Sequence, residues 1–384
     1  MIVKRLCAEH YDELLDVLNR TFTRQNKREM DFLTELPRMW VRSDEYMGKH
    51  IGVFEDGKLC AVMGIYPLPV KICGISLQFA TTGNVATLPE YEGRGYFSAL
   101  FTFAMRELEN GGYDAARLGG QRQRYERFGY EDCGQLFEFV FTEANRKKCF
   151  GNYAEGVDLI PLQEQDTEAL AFARTLANSK LFYVERYGND KERDVFRCMH
   201  AKNSKAYMAF CNGKWIGYVC ASSSGKVHEL RAVTTDDFMK IVCRWQEYMG
   251  TPIAISIAPH MTEEMKRLFA CAQDVTITAP YMFRIVQWER VCDALMKLAN
   301  ATRKLPEGER YLRIEGCGIY RFFVNRETAG CEKTDRAEYD FSIEQKKAGR
   351  LLFGPCDPVW MGDIPLLLHA WFPLPLTWNF MDYV

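Results

Sequence analysis

A glycine-rich turn at residues 93–95, Gly-Arg-Gly, joins a strand-like run to a helix-like run. The strand pattern enters through residues 85–87, and the helix pattern leaves from Tyr96. The first backbone N–H groups of a helix lack internal partners and lie at the positive end of its dipole, so they attract anions. Glycines also let a phosphate approach the backbone closely. The pattern therefore fits a pyrophosphate seat, and it also fits a tight turn that binds nothing.

A tyrosine in the stretch GGQRQRYERFGYE, residues 119–131, is the second candidate for chemistry. Tyr125 lies in a short predicted helix after a strand, before the turn at Gly129 returns the chain to the sheet. Its phenol, with a reference pKa of about 10, suits a proton donor to a thiolate of lower basicity. The structural alternative is that Tyr125 and Phe128 fill the core. Tyr130 is a rival donor, but we expect it to begin the returning strand and to pack there.

Other phosphate-binding and catalytic motifs are absent from the sequence. The dinucleotide fingerprint G-x-G-x-x-G would have Ser98 in place of its third glycine. Neither the P-loop lysine pattern nor H-E-x-x-H occurs, and the six histidines are scattered, so we predict no metal site. The stretch ASSSG at 221–225 resembles a nucleophile elbow, but a strand pattern follows it where an α/β-hydrolase has a helix.

The elements that must position the turn and the tyrosine alternate between helix and strand over residues 1–148. Their predicted order is β-α-β-β-β-α-β-α-β, a mixed sheet covered by helices. Asp56-Gly57 predicts a hairpin between two of the strands. The run QLFEFVFT, which begins at Gln135, has alternating faces and is predicted to be the last strand of this unit. The fold class is α/β in this part of the chain.

The rest of the sequence predicts two further units, at 149–286 and 287–384. The second repeats part of the first, with a hairpin at Asn212-Gly213 followed by strand, helix and strand, but it has no Gly-Arg-Gly. The third combines helices and strands as an α+β unit. Its tail, PLLLHAWFPLPLTWNFMDYV, is apolar to the last residue, whereas chain ends are usually polar and frayed, so we expect a terminus docked inside the molecule.

Composition excludes several classes of protein. The 384 residues carry a net charge of −2, without the basic surface expected of a nucleic-acid binder. None of the 14 cysteines forms a CxxC pair, which favours free thiols in a reducing cytoplasm. The N-terminus lacks the pattern of a signal peptide, and the apolar runs fall short of the 18 or more residues of a membrane span, so we predict a cytoplasmic protein without membrane contact.

The stretches GNVATLP, YEGRGY and RYERFGYE, with the helix after the turn, resemble the GCN5-related N-acetyltransferases (GNAT). In that family a strand splits from its neighbour and acetyl-CoA lies in the split. The family's Arg/Gln-x-x-Gly-x-Gly/Ala falls on Glu92, Gly95 and Phe97, of which only Gly95 matches, so backbone amides must carry the phosphate contact, helped by Arg94. The resemblance implies that the residues contacting acetyl-CoA are Val85, Ala86, Thr87, Gly93, Arg94, Gly95, Tyr96, Phe97, Ser98, Gly120 and Gln121.

The layout of the whole chain resembles the Eis (enhanced intracellular survival) family. That family has an active GNAT domain, a degenerate copy and a third unit similar to sterol carrier proteins. The resemblance implies Tyr125 as general acid and the terminal carboxylate of Val384 as general base. It also implies a primary amine acceptor, either a polyamine- or aminoglycoside-like cation or a peptide, and a homo-oligomer, in this family a hexamer. Phe22, Phe32 and Trp40 are candidates for the walls of the acceptor cleft, and core packing explains them equally well.

Two other functions remain open at this level. Because of Glu92 and Phe97, the chain also fits an inactive GNAT-like protein that binds a lipid or other ligand or acts as a scaffold. A tandem-domain aminoacyl transferase that uses charged tRNA is the other enzyme class. The slightly acidic balance of the chain and its intact Gly-Arg-Gly turn argue against that class.

Overall fold

The computed structural model describes residues 1–36, 39–188 and 193–382. Its strands up to the middle of the chain are β1 (Ile2–Arg5), β2 (His50–Glu55), β3 (Lys58–Ile72), β4 (Ile75–Thr87), β5 (Ala115–Leu118), β6 (Glu131–Cys133), β7 (Leu136–Phe141), β8 (Val157–Pro161) and β9 (Phe182–Val184). The later strands are β10 (Lys205–Cys211), β11 (Lys214–Ala221), β12 (Val227–Ala232), β13 (Ile253–Ile257), β14 (Asp274–Thr278), β15 (Tyr281–Ile285), β16 (Gly308–Ile314), β17 (Gly318–Val324), β18 (Ala329–Thr334) and β19 (Phe341–Ile343).

The helices in the described ranges alternate with these strands. They are α1 (Tyr11–Asn26), α2 (Phe32–Glu35), α3 (Asp44–Met47), α4 (Tyr96–Asn110), α5 (Arg122–Tyr125), α6 (Glu143–Cys149), α7 (Thr167–Ala177), α8 (Val195–Met199), α9 (Thr235–Met249), α10 (Thr262–Phe269), α11 (Trp288–Arg303), α12 (Gln345–Phe353) and α13 (Leu366–Trp371). Short 3₁₀ turns lie between them, among them Glu126–Phe128 after α5 and Phe380–Asp382 near the C-terminus.

The first sheet has the strand order β1-β2-β3-β4-β5-β15-β6, with β9 paired to the far end of β3. Its pairs are antiparallel except β4 and β5, which are parallel. The hairpin of β2 and β3 turns at Asp56 and Gly57, whose φ values of 49° and 79° are the positive values that a two-residue hairpin turn needs. One face of the sheet packs against α1 and the other against α4.

The second sheet has the order β14-β7-β13-β12-β11-β10-β8, again with one parallel pair, β12 and β13. Read from its other end, it repeats the arrangement of the first sheet. The sheets exchange strands: β15 lies between β5 and β6, and β7 lies between β13 and β14. The first sheet also receives β9 from the second part of the chain, beside β3. Residues 136–141 therefore do not close the first sheet, contrary to the sequence prediction, and strand pairing crosses the limit predicted at 148.

The third unit is a sheet of order β18-β17-β16-β19 with α11, α12 and α13. Its core is continuous with one face of the first sheet, because Phe79 and Phe283 share a cluster with Leu295 and Phe322. The tail is docked inside the molecule as expected: the buried residues there include Trp371, Phe372, Leu374, Leu376, Trp378 and Met381. Within the described ranges, none of the helices combines the length and the apolar character needed to cross a bilayer.

Candidate active site

The site lies where β4 and β5 part. Their parallel pairing covers Phe79–Thr82 on β4 and Ala115–Leu118 on β5, and β4 then continues alone on that side to Thr87. On its other side β4 stays paired with β3 as far as Thr87, through an irregularity of register beside Gly64. The divergence exposes the edge of β4 from Gly83 onward, which is the edge that a ligand with amide groups can pair with.

A cavity of about 780 Å³ occupies this split. One wall is the end of β4, with Asn84 and Val85, and the loop Gly119–Gln121 that leaves β5. The facing wall comes from α1 and α2, and residues from beyond the first unit, Asn203 and 279–282, close one side. A volume in the range of small-molecule pockets, at the split of a mixed sheet, marks the default ligand site of the molecule.

The turn at 93–95 leads into α4 with its amides available. Gly95 is the N-cap of α4 with a φ of 83°, and Gly93 has a φ of 79°. Among the described side chains none caps this helix, and no residue of its first turn is acidic. Side chains built on either glycine would meet nothing within 4 Å, so the space in front of the amides is open. This helix start keeps the anion-binding capacity of its free N–H groups.

The equivalent helix of the second sheet, α9, begins differently. The Thr234 side chain accepts a hydrogen bond from the backbone N–H of Asp237, and Asp236 and Asp237 occupy the first turn. The Thr234 cap pairs one of the free amides, and the two carboxylates offset the attraction of the helix N-terminus for an anion. Only the first of the two related helix starts is therefore open to a pyrophosphate.

The side chains of the turn are largely engaged with the protein. Arg94 donates to the Glu55 carboxylate at 2.8 Å and lies over the Tyr91 ring, and Glu92 pairs with Arg24 at 3.2 Å. These exposed pairs are weak and can exchange with a ligand. Phe97, the departure from the family motif, packs its ring 5.8 Å from that of Tyr125 and thereby connects the turn to the second constellation.

Tyr125 lies at the end of α5 on the wall of the cavity, with 7% of its surface exposed. Its ring packs against Phe101 and against the backbone of Gly120, where a Cβ would come within 2.8 Å of Cε2. Because Gly120 has a φ of 140°, this position suits glycine on two counts. The loop 119–121 and the tyrosine are thus fixed against each other.

An ion-pair network holds α5 in place. Arg122 of α5 makes two hydrogen bonds to the Glu131 carboxylate on β6, at 2.6 and 2.9 Å, and Arg350 of α12 reaches the same carboxylate at 2.7 Å. Burial by itself raises the pKa of Glu131, but the two guanidinium groups outweigh it and keep the pKa below its usual range. The third unit therefore contributes to the position of the helix that carries Tyr125.

Tyr130 is placed as expected of a packing residue. It is 1% exposed, directly precedes β6, and its hydroxyl lies 3.0 Å from Oγ1 of Thr82. Burial raises its pKa well above that of a free phenol. Tyr130 is not part of the cavity wall, whereas Tyr125 is.

The structure brings some of the predicted residues together and leaves one out. Val85, Gly120, Gln121 and Tyr125 line the cavity, and residues 93–98 follow at the start of α4. Ala86 and Thr87 continue the same strand beyond the split. Val384 lies outside the described residues. Phe22 and Phe32 line the cavity, whereas Trp40 lies behind Phe32 and donates its indole N–H to the Phe32 carbonyl at 2.5 Å.

Three polar residues of the cavity wall were missed by sequence reasoning. Arg117 is fully buried on β5, its Nε donating to Thr81 Oγ1 at 3.1 Å, and an arginine inside the apolar run DAARL was the signal for it. Asn84 has a φ of 53° and donates to the Tyr66 hydroxyl at 2.6 Å. Asp132 has its pKa raised by burial and by the neighbouring Glu131.

Arg127, beside the start of α4, is a fourth residue that sequence reasoning missed. Its guanidinium donates to Ser98 Oγ at 3.0 Å and lies over the Phe128 ring. With Arg124 it lines a shallow hollow beside Phe97. The cluster RQRYER in the sequence was available as a signal, but nothing local indicated that its arginines face the start of α4.

Comparison with known proteins agrees with this geometry. Residues 3–133 match the model of an acetyltransferase (GNAT) domain, a match that ends at the last residue of β6. Residues 3–133 are therefore a GNAT acetyltransferase domain, and the whole chain has an Eis-like fold. The likeness to the Eis fold rests on Eis1 from Mycobacterium abscessus, whose crystal structure superposes with a TM-score of 0.67 at 15% identity, covering 99% of this chain and 98% of Eis1.

Other solved structures share the architecture of this chain over its full length. A conserved Enterococcus faecalis V583 protein described as a probable N-acyltransferase gives a TM-score of 0.66 at 16% identity, covering 98% of this chain and 97% of that one. A GCN5-related N-acetyltransferase from Kribbella flavida gives 0.64 at 17% identity, covering 100% and 98%. No curated protein matches the sequence significantly. The predicted tandem GNAT fold is confirmed, and the sterol-carrier likeness of the third unit stays a prediction.

Proposed function

We propose that this acetyltransferase moves the acetyl group of acetyl-CoA to a primary amine of a small cationic acceptor, of the polyamine or aminoglycoside kind, or of a peptide. The observation that carries the proposal is the cavity that joins the open edge of β4 to Tyr125 and to carboxylate-bearing walls. Acyl donor, proton donor and acceptor site would then share one space, as a direct transfer between two bound substrates requires.

Acetyl-CoA would lie along the split. Its pantetheine amides would pair with the free edge of β4 at Val85–Thr87, and its pyrophosphate would rest on the amides at Gly93–Ser98. Arg127, already 3.0 Å from Ser98 Oγ, would add a charged contact to the phosphates. Arg94 would add a second charged contact to the phosphates by breaking its ion pair with Glu55. Since Glu92 and Phe97 offer no such contact, the backbone carries most of the phosphate binding.

The transfer itself needs a base and an acid. A neutral amine attacks the thioester carbonyl, the C–S bond breaks, and the CoA thiolate takes a proton from Tyr125. The amine proton passes to a carboxylate, directly or through water. We propose the terminal carboxylate of Val384 for this role. Asp132, which lines the cavity and has a raised pKa, is the second candidate for the base.

The acceptor part of the cavity has aromatic and acidic walls. Phe22, Phe32 and Tyr281 supply ring surface, and Glu35 and Asp132 supply carboxylates. Glu35 is already paired with Arg28 at 2.7 Å, so Asp132 offers the more available negative charge. Carboxylates and ring faces together recognise ammonium groups, which supports a cationic acceptor.

The proposal also covers the oligomeric state of the protein and its cellular environment. We propose a homo-oligomer, as a hexamer by resemblance to the Eis family, in a reducing cytoplasm. All 14 cysteines are free thiols, which agrees with that environment. Static light scattering of the purified protein tests the assembly without reference to activity.

The activity is tested by a screen of amines for acetyl-CoA-dependent release of free thiol, with the acetylated product identified by mass spectrometry. Thiol release in step with acetylated polyamine, aminoglycoside or peptide supports the proposal. Tyr125→Phe is the matched control, since it keeps the ring and removes the hydroxyl. The base is assigned by comparing a chain extended beyond Val384 with Asp132→Asn: whichever change abolishes turnover while acetyl-CoA still binds marks the base.

A further inference from the structure

The second sheet has its own split, and a separate cavity lies in it. Its parallel strands β12 and β13 are joined at a single residue pair, Val227 and Ile255, beyond which they diverge. The cavity has a volume of about 60 Å³ and is lined by both strands, by His260 after β13, and by the tail segment 377–382. It shares no lining residue with the larger cavity of the first sheet.

Three residues that line this cavity carry buried polar atoms without a hydrogen-bond partner in the described part of the chain. These atoms are both ring nitrogens of His260, Nε of Arg231 and Oγ1 of Thr377. The residues are 8%, 8% and 6% exposed, respectively. Buried polar groups are nearly always paired, so several such atoms around one cavity indicate a bound species.

The neighbouring acidic groups do not satisfy these atoms. Glu229 receives two hydrogen bonds from Arg186, at 2.7 and 2.9 Å, one from the Tyr218 hydroxyl at 2.6 Å, and one from the Asn379 amide. Asp382 also accepts from Arg186, at 3.2 Å. The Glu229 carboxylate is thus fully used, and it approaches Arg231 only to 3.9 Å.

The remaining charges around the orphaned atoms are mainly positive. The charges of Arg231 and Lys180 both act on His260, and Lys180 donates to the Ala232 carbonyl at 3.0 Å. Burial, reinforced by Arg231 and Lys180, lowers the pKa of His260 to about 3, so at neutral pH this ring has one N–H donor and one acceptor nitrogen. Glu264 is the acidic residue that opposes Lys180, and it lies partly exposed on α10.

We propose that this cavity binds a small oxyanion, a short carboxylate or inorganic phosphate, between Arg231, His260 and Thr377. The guanidinium N–H, the imidazole N–H and the hydroxyl can all donate to its oxygens. One water needs about 10–15 Å³ on the same measure of volume, so the cavity has room for an anion of a few heavy atoms. A coenzyme is excluded by that size and by the capped, acidic start of α9.

This site is independent of the proposed acetyl transfer, and its test needs no turnover. Isothermal titration of the purified full chain with sodium acetate, and separately with sodium phosphate, is run at constant ionic strength maintained with sodium chloride. The expected result is one saturable site per chain for at least one of the two anions. Saturation in the acetate titration indicates a carboxylate ligand, and saturation in the phosphate titration indicates a phosphate ligand.

Thr377→Val removes the hydroxyl and keeps the shape of the side chain, so it is expected to weaken binding about tenfold, the loss of one hydrogen bond to a charged group. Thr278→Val, at an exposed position on β14, is the matched control and should bind as the parent does. Thr377→Ser, which keeps the hydroxyl, should restore binding if the valine variant proves poorly folded. Absence of saturable binding for both anions, or equal affinity in Thr377→Val, overturns the proposal and leaves ordered water as the occupant.

Discussion

Replacing Gly120 by alanine should move Tyr125, the proposed general acid, without removing it. A Cβ at Gly120 would lie 2.8 Å from Cε2 of Tyr125, about 0.6 Å short of an ordinary contact of 3.4 Å. The Tyr125 ring is confined on its other sides by Phe97 and Phe101, at 5.8 and 5.4 Å between ring centroids. It therefore cannot yield freely, and its hydroxyl is displaced relative to the bound thioester.

Two effects of this substitution can be estimated. A displacement of 1 Å at a reacting group costs about 100-fold in rate, so a shift of about 0.6 Å should lower kcat by about tenfold or more. The φ of 140° adds strain for any residue with a side chain, on the order of 1–3 kcal/mol of unfolding free energy. The KM for acetyl-CoA should change less than kcat, because the proposed pyrophosphate seat at 93–98 is untouched.

The assay is steady-state acetyl transfer together with urea unfolding of Gly120→Ala and of Gly57→Ala. Gly57 has a φ of 79° in the β2–β3 hairpin, and a Cβ added there would meet nothing within 4 Å, so its variant carries backbone strain without a clash at the site. We expect both variants to lose stability and only Gly120→Ala to lose kcat. An unchanged kcat in Gly120→Ala, or an equal loss in Gly57→Ala, would refute the argument that the glycine positions the tyrosine.

Three further predictions follow from the same geometry. Tyr125→Phe should lower kcat by about 10²–10⁴-fold, the usual contribution of a general acid, with unfolding by urea unchanged; a wild-type pH–rate profile would contradict it. Arg127→Ala should raise the KM for acetyl-CoA up to about fivefold in a salt-dependent manner and leave kcat unaltered, as steady-state kinetics can show. Burial raises the pKa of Glu229, but Arg186 and Arg231 outweigh it and lower the pKa from 4.5 to about 2. The ionised carboxylate therefore contributes stability above pH 4.5 that is lost as the pH falls toward 2. Unfolding of Glu229→Gln should lack this acid dependence.

Local patterns were sufficient for the elements that build the site. The hairpins at 56–57 and 212–213 have the positive φ values that their Asp-Gly and Asn-Gly sequences require. The strand, turn and helix around 93–95 occur as predicted, since glycine spacing and helical periodicity act over short ranges. The apolar tail correctly predicted a buried C-terminal segment.

The exchange of β7 and β15 was beyond reach of those patterns. β7 has the alternating faces of a half-buried strand, whereas β15 buries the adjacent residues Met282 and Phe283. Such patterns indicate which side chains are buried but not which sheet receives the strand. The same limitation applies to the site. The pairing of Arg94 with Glu55, the approach of Arg127 to Ser98 and the contact of Arg350 with Glu131 join residues 29 to 219 positions apart, and only the fold brings them together.

The sequence also does not predict the unpaired polar atoms of the second cavity. His260 and Thr377 are single polar residues in apolar surroundings, where a structural role is the ordinary explanation. Their functional interpretation depends on the split between β12 and β13, which brings them to one cavity. This split repeats that of the first sheet, but the helix that follows it, α9, has a capped N-terminus.

The central claim is that the split of the first sheet is an acetyl-CoA site with Tyr125 as its acid. The most direct test mixes the protein, acetyl-CoA and a polyamine, and follows free thiol and acetylated amine together in the parent chain and in Tyr125→Phe. The account predicts equal amounts of both products from the parent, and in the variant binding of acetyl-CoA with turnover lowered by about 10²–10⁴-fold. Failure of the parent chain to bind acetyl-CoA, or equal turnover by the two proteins, would contradict it.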